Sequence, residues 1–324
     1  MVALCGDRQR ERQERATGVA LRYPGRDGCV CAIAGETCAG AGLGRREGED
    51  VPSLVTDPGI IHYETYGRGR PVLLLHGWLG SWELWRDTIE VLGREYRTYA
   101  LDFFGFGESD VLSAADRSAL RSRLDAFTVP TYVEMVNQFM DRLGIGRAPL
   151  VGHSMGGTVS LSMAIRHPEK VSRVCVIGSP IDGSSLNWLL RVSGQRRAAS
   201  FFWLFGGRGL RLFLRFYSYF IARDGRAMGR MITKDVSKIT MESFFQSIGT
   251  LRKTDLRPEL NRISAPTLGM YGQRDIIVRP SEHRTLKEGV PHAQIEWFPD
   301  AGHFIMMDSP ERFISTLRAW LRED

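Results

Sequence analysis

Ala148-Pro149-Leu150-Val151-Gly152-His153-Ser154-Met155-Gly156-Gly157 is the stretch from which the rest of the chain can be read. Ala148–Val151 is a short apolar run of the kind found in strands buried on both faces. Residues from Met155 to His167 have helical spacing. Pro168 stops them, because its nitrogen carries no hydrogen and its ring clashes with the preceding turn. Strand and helix are thus joined by Gly152-His153-Ser154-Met155-Gly156, with no length left for a loop. So abrupt a reversal forces the central serine into a crowded backbone conformation. Gly152 and Gly156 remove the side chains that would collide there, and Gly157 lets the helix lie close on the strand. The serine hydroxyl then sits at a helix N-terminus, where developing negative charge is stabilised.

The same alternation extends in both directions. Upstream, Ile60–Tyr66 and Val72–Leu75 read as strands joined by a Gly/Pro turn. A helix follows from an N-cap at Ser81 to Gly93, then a strand at Arg97–Leu101 and a helix over Thr131–Leu143 ended by Gly144. Downstream, Val171–Ile177, Pro266–Tyr271 and Ala293–Phe298 are strands, with helices near Arg279–Glu288 and Pro310–Leu321. Strands alternating with helices predict an α/β fold, a mostly parallel sheet covered on both faces. The core is expected in two parts, 51–182 and 258–324. Residues 183–257, rich in aromatics and leucine and without strand signal, are expected to form an inserted helical cap. Residues 1–50 carry 8 basic and 8 acidic residues, many glycines and no period, and are expected to be a disordered extension.

Composition sets the outer limits. The chain has 324 residues, 43% hydrophobic and 25% charged, enough for a deep core and inconsistent with a collagen-like or disulfide-scaffold protein. A net charge of +6 is mild for this length and gives no reason to expect nucleic acid. Four of the 5 cysteines fall at Cys5, Cys29, Cys31 and Cys38, in a spacing that makes a poor zinc site. Cys175 alone lies in the body of the chain. That usage fits a reducing, cytoplasmic compartment. The start has no apolar run long enough for a secretory signal, and no run long enough for a membrane span occurs.

A serine hydroxyl is a weak nucleophile at neutral pH and needs a base. The candidates are His62, His76, His153, His167, His283, His292 and His303. His303 lies in Asp300-Ala301-Gly302-His303-Phe304, directly after a strand, at the sheet edge where α/β sites form. An acid must hold the tautomer of that base. Asp275 follows the preceding strand in Gly272-Gln273-Arg274-Asp275 and is the favoured choice; Asp182, after Val171–Ile177, is the alternative. The order Ser154, Asp275, His303 suits a triad on an α/β-hydrolase frame. An oxyanion formed at Ser154 needs two backbone donors. Met155 N–H is one. The loop His76-Gly77-Trp78 offers Trp78 N–H as the other, with His76 fixing the loop.

Taken together, these motifs resemble the α/β-hydrolase superfamily over roughly residues 55–322. His76-Gly77-Trp78 is similar to its oxyanion loop, and Asp102-Phe103-Phe104-Gly105-Phe106-Gly107-Glu108-Ser109 to its D-x-x-G-x-G-x-S loop. The likeness is to the branch of esterases, lipases and C–C hydrolases with an inserted lid. It implies hydrolysis of a carboxylic ester through an acyl-enzyme, with neither metal nor organic cofactor. Diketone C–C cleavage, peracid formation and a non-catalytic receptor are the alternatives on the same frame. Dehalogenases and epoxide hydrolases of this fold carry Asp at the centre of the turn, where this chain has Ser154. Asp102 therefore reads as a loop-structuring carboxylate.

The cap carries 14 basic and 4 acidic residues between 183 and 257. Arg208, Arg211 and Arg215 fall on one side of an otherwise apolar helical stretch. Two readings follow: a roof over an apolar pocket with solvated arginines, or a lid that also makes peripheral contact with a membrane. Both suit a small-molecule ester or lipid-like substrate.

Overall fold

In the computed structural model the described residues are 52–323, apart from 58, 112–125, 194–211, 213–215, 217, 220, 223 and 237–238. The expected N-terminal extension, its four cysteines, and Arg208, Arg211 and Arg215 lie outside them.

Among the described residues nine strands form one sheet: β1 (Ser53–Val55), β2 (Gly59–Tyr66), β3 (Pro71–Leu75), β4 (Arg97–Leu101), β5 (Asp110–Val111), β6 (Ala148–His153), β7 (Val171–Ile177), β8 (Thr267–Gly272) and β9 (Gln294–Phe298). Their order is β1-β2-β4-β3-β6-β7-β8-β9, with β5 beside β2. From β4 to β9 every pairing is parallel; β2 meets β1, β4 and β5 antiparallel. The short strands β1 and β5 were not expected. Three and two residues long, they form only by pairing with β2 and have no period of their own.

Parallel strands need crossovers, and the helices supply them. They are α1 (Arg86–Leu92), α2 (Val129–Arg142), α3 (Met155–Arg166), α4 (Trp188–Ser193), α5 (Gly225–Val236), α6 (Met241–Lys253), α7 (Glu282–Gly289), α8 (Ile305–Asp308) and α9 (Pro310–Arg322). The first part of the expected Ser81–Gly93 helix is a 3-10 turn over Trp82–Trp85, capped by Ser81. Covered on both faces, the central strand β3 is apolar throughout. Val72, Leu73, Leu74 and Leu75 of β3 are all fully buried, worth roughly 2 kcal/mol each in area removed from water.

Between β7 and β8 the chain leaves the sheet, and the described part of this excursion holds α4, α5 and α6. An isolated bridge between Asp182 and Asp255 closes its base. Asp235 of α5 docks on the core: it is 3% exposed, and its Oδ1 accepts from Ser81 Oγ at 2.9 Å. Burial, with Asp102 and Glu83 nearby, raises its pKa to about 7 against the pull of the Ser81 hydrogen bond and Lys234. An unfolded aspartate ionises near 3.9. Between about pH 4 and pH 7 the folded state keeps a proton that the unfolded state has lost, so this group costs stability as pH rises through that window. Asp235→Asn keeps the Ser81 contact and removes the penalty. Its thermal midpoint is expected about 3–5 °C above wild type at pH 8 and level with it near pH 4, by calorimetry across pH.

Candidate active site

The site lies at the C-terminal edge of the parallel strands, where their loops converge. Ser154 links β6 to α3 with φ 51° and ψ −118°. Among the described residues, only Ser154 and Leu79 combine a side chain with positive φ. Such a conformation costs on the order of 1–3 kcal/mol and persists where its surroundings fix it. Here they do: a Cβ on Gly156 would lie 2.2 Å from the Leu75 carbonyl oxygen, so α3 can cross β3 only through a glycine. Gly152 and Gly157 are equally confined, by the Gly156 backbone and by Ser179.

Asp275 and His303 come from the loops after β8 and β9. His303 Nδ1 lies 2.8 Å from Asp275 Oδ2, with both side chains buried. The other carboxylate oxygen, Oδ1, accepts from the N–H groups of Ile277 at 2.8 Å and Val278 at 3.0 Å. Asp275 therefore acts as a fixed acceptor for the Nδ1 proton of His303. Gly178, at the end of β7 with φ 53°, makes room for the pair: a Cβ there would lie 3.2 Å from both Asp275 Oδ2 and His303 Nδ1. The alternative acid Asp182 is engaged elsewhere. It accepts from the Ser184 N–H at 3.0 Å and sits 3.4 Å from the Arg257 guanidinium.

His153, the residue before Ser154, is the partner that sequence reasoning missed beyond naming it among seven histidines. Its Nε2 is 3.0 Å from the His303 carbonyl, and the two rings are 4.7 Å apart. A carbonyl only accepts, so Nε2 carries the proton. Burial and the neighbouring His303 hold the His153 pKa well below the usual histidine range. It is thus a neutral strut between Ser154 and His303. No local pattern marks it, since its partner is 150 residues away.

The His76-Gly77-Trp78 loop is built on similar logic. A Cβ on Gly77 would be 2.8 Å from His153 Nδ1 and 3.1 Å from Ser154 Cβ, so the loop reaches Ser154 only because residue 77 has no side chain. His76 Nδ1 lies 2.7 Å from the Gly77 carbonyl, and the Phe103 N–H donates to its Nε2 at 3.0 Å. Both contacts require neutral imidazole with the proton on Nδ1, and burial lowers the His76 pKa accordingly. The Gly77 carbonyl is held, so the N–H on the opposite side of that peptide, Trp78, is held too. Met155 is the first residue of α3, and its N–H has no acceptor within the helix. Behind the loop, Asp102 accepts from the N–H groups of Trp82 at 2.6 Å and Glu108 at 2.9 Å, and His62 Nδ1 lies 2.6 Å from it. These contacts tie Asp102 to loop architecture.

The remaining histidines sit away from this cluster. His167 caps the end of α3, while His283 and His292 contact the backbone carbonyls of Pro280 and Ala265. Among the described residues no group of His, Cys, Asp and Glu could hold a metal ion, and no helix is long and apolar enough to cross a membrane.

Comparison with known proteins agrees with this fold. A family model described as alpha/beta hydrolase fold matches residues 70–310. The chain is 27% identical over 280 residues to a pimeloyl-[acyl-carrier protein] methyl ester esterase of Nitrosomonas europaea, covering 80% of this chain and 98% of that one. It is 26% identical over 291 residues to epoxide hydrolase 3 of Xenopus tropicalis, covering 83% and 76%. Among solved structures, a thermophilic esterase from Thermogutta terrifontis superposes with a TM-score of 0.70 at 24% identity, covering 85% of this chain and 98% of that one.

Proposed function

The chain belongs to the α/β-hydrolase family, and on that premise we propose that it is a serine hydrolase cleaving a carboxylic ester of an apolar acyl or aromatic substrate. The observation that carries the reading is the buried Asp275–His303 pair, strutted by His153 beside a strained Ser154.

In this reading His303 Nε2 takes the proton of Ser154 Oγ as that oxygen attacks the ester carbonyl. The carbonyl oxygen becomes an oxyanion between the N–H groups of Met155 and Trp78. Asp275 holds the Nδ1–H tautomer of His303 and stabilises the imidazolium that forms. Collapse of the intermediate expels the alcohol, protonated by His303, and leaves an acyl-Ser154. Water, deprotonated by His303, attacks that ester, and the acid leaves as Ser154 regains its proton.

Ester cleavage is favoured over epoxide opening by the chemistry of the nucleophile. A carboxylate that opens an epoxide forms an ester, which water can hydrolyse. A serine would form an ether, and the cycle would stop there.

The aromatic setting supports an apolar substrate: Trp78 packs on Phe244 with ring centroids 4.8 Å apart, and Phe304 stands edge-on to His303 at 5.2 Å. A second reading, contact between the cap and an anionic lipid surface, is supported by exposed apolar side chains there. Trp188 is 74%, Leu212 71% and Phe216 64% exposed, within a segment with a basic excess.

Both readings are tested by p-nitrophenyl esters from C2 to C16, with and without anionic phosphatidylglycerol vesicles. Turnover without vesicles is expected, with a preference beyond C2; a folded protein without turnover on any ester counts against ester hydrolysis. Vesicles are expected to raise turnover of the longer esters several-fold at low salt, since the basic contribution is screened by salt. A rate indifferent to vesicles at low salt counts against the membrane contact.

A further inference from the structure

We propose that Ser247, on cap helix α6, is a positioning residue for the oxyanion donor at Trp78, so that the cap sets the electrostatic half of the site. The inference rests on the serine-hydrolase reading above.

Trp78 follows Gly77, which lies against Ser154, and its own side chain reaches the cap. Its indole Nε1–H donates to Ser247 Oγ at 3.0 Å, across 169 residues of chain. Ser247 is fully buried, and its hydroxyl lies within hydrogen-bonding distance of the Ser243 and Phe244 carbonyls, one turn back on α6. Those carbonyls can only accept, so the hydroxyl proton is committed to them and an oxygen lone pair faces the indole. The direction of the bond is therefore fixed.

The helix that carries Ser247 is itself seated on the core, against Gly105 and Phe127. Thr240 and Ser243 form a capping box at its start. Ser243 packs where Gly105, with φ 79°, leaves a gap: a Cβ on Gly105 would lie 2.5 Å from Ser243 Cβ. Gln246 Oε1 accepts from the Phe127 N–H at 3.3 Å. A helix seated in this way can act as a fixed post.

Such a post matters because the loop it holds is strained. Gly80 N–H donates to the Gly77 carbonyl at 3.2 Å, closing a turn in which Leu79 has φ 61°. Leu79 would relax towards negative φ if released, and the Gly77–Trp78 peptide would turn with it. His76 holds that peptide from below, through the carbonyl. Ser247 holds the next residue from above, through the indole. Between them the donor N–H keeps its aim.

A double-mutant cycle of Ser247→Ala and Trp78→Phe tests this, since each removes one half of the bond and Phe keeps a ring against Phe244. The readouts are kcat and KM on a p-nitrophenyl ester and the rate at which a fluorophosphonate modifies Ser154. Each single variant is expected to lower kcat and the labelling rate about tenfold with KM within twofold, less than the ~10²–10³ of losing an oxyanion donor outright. The double variant is expected to be no worse than the poorer single variant, because both delete the same bond. Unchanged kcat in the singles, or losses that multiply in the double, would overturn the inference and reduce the contact to packing. If Ser247→Ala fails to fold, Trp78→Phe alone decides by its split of kcat from KM. A folded wild type that the probe does not label overturns the serine-hydrolase reading, and this inference with it.

Discussion

Ser154→Ala is expected to fold normally and to lose about 10⁴–10⁶-fold in kcat on any ester that the wild type turns over. The side chain removed is one oxygen in a position that is 6% exposed, so little packing is lost. The backbone strain at residue 154 stays, because alanine is no easier than serine at φ 51°. The thermal midpoint should therefore move by no more than a few degrees while turnover collapses. What remains would come from binding and from the Met155 and Trp78 donors acting on attack by water. Kinetics with a burst assay, beside calorimetry on the same preparation, make the check. A loss below about 100-fold would remove Ser154 from the nucleophile's role. Turnover of a vinylogous diketone but of no ester, lost with Ser154, would move the assignment to C–C cleavage.

Asp275→Asn is expected to lower kcat by about 10⁴ with KM little changed. The surrounding loop dictates why. Two N–H groups, Ile277 and Val278, point at Oδ1, so an asparagine must place its carbonyl oxygen there and turn its amide NH₂ towards His303. An NH₂ can only donate, so His303 must present a bare Nδ1 and carry its proton on Nε2. That tautomer cannot take a proton from Ser154. The protein would be intact and its base loaded the wrong way round, which NMR of the His303 ring nitrogens would show directly. Asp275→Asn with activity within tenfold of wild type would return Asp182 to consideration.

The parts of this molecule legible in the sequence are those that short-range geometry dictates. The turn at Gly152–Gly156 could be read because strand, serine and helix leave no other way to connect. His303 and Asp275 could be placed because each follows a strand closely. Asp275 was favoured by its position, with Asp182 as the alternative, and side-chain direction separates the two: Asp182 turns back to cap Ser184, whereas Asp275 faces His303. His153 and Ser247 were illegible for a different reason. Their partners, His303 and Trp78, are distant in sequence, and nothing in a period of 2 or 3.6 records a single hydrogen bond between remote elements. The strands β1 and β5 escaped notice because an edge pair of two or three residues is imposed by its neighbour.

Among the described residues the two strained side-chain-bearing positions, Leu79 and Ser154, adjoin the two proposed backbone donors in opposite senses: Leu79 follows Trp78, and Ser154 precedes Met155. Each donor is thus held in place by a backbone conformation that a glycine would adopt more readily. Heat resistance and catalytic competence consequently pull against each other at these positions. A descendant of this chain released from selection for turnover would gain by softening there first, while its buried sheet stayed unchanged.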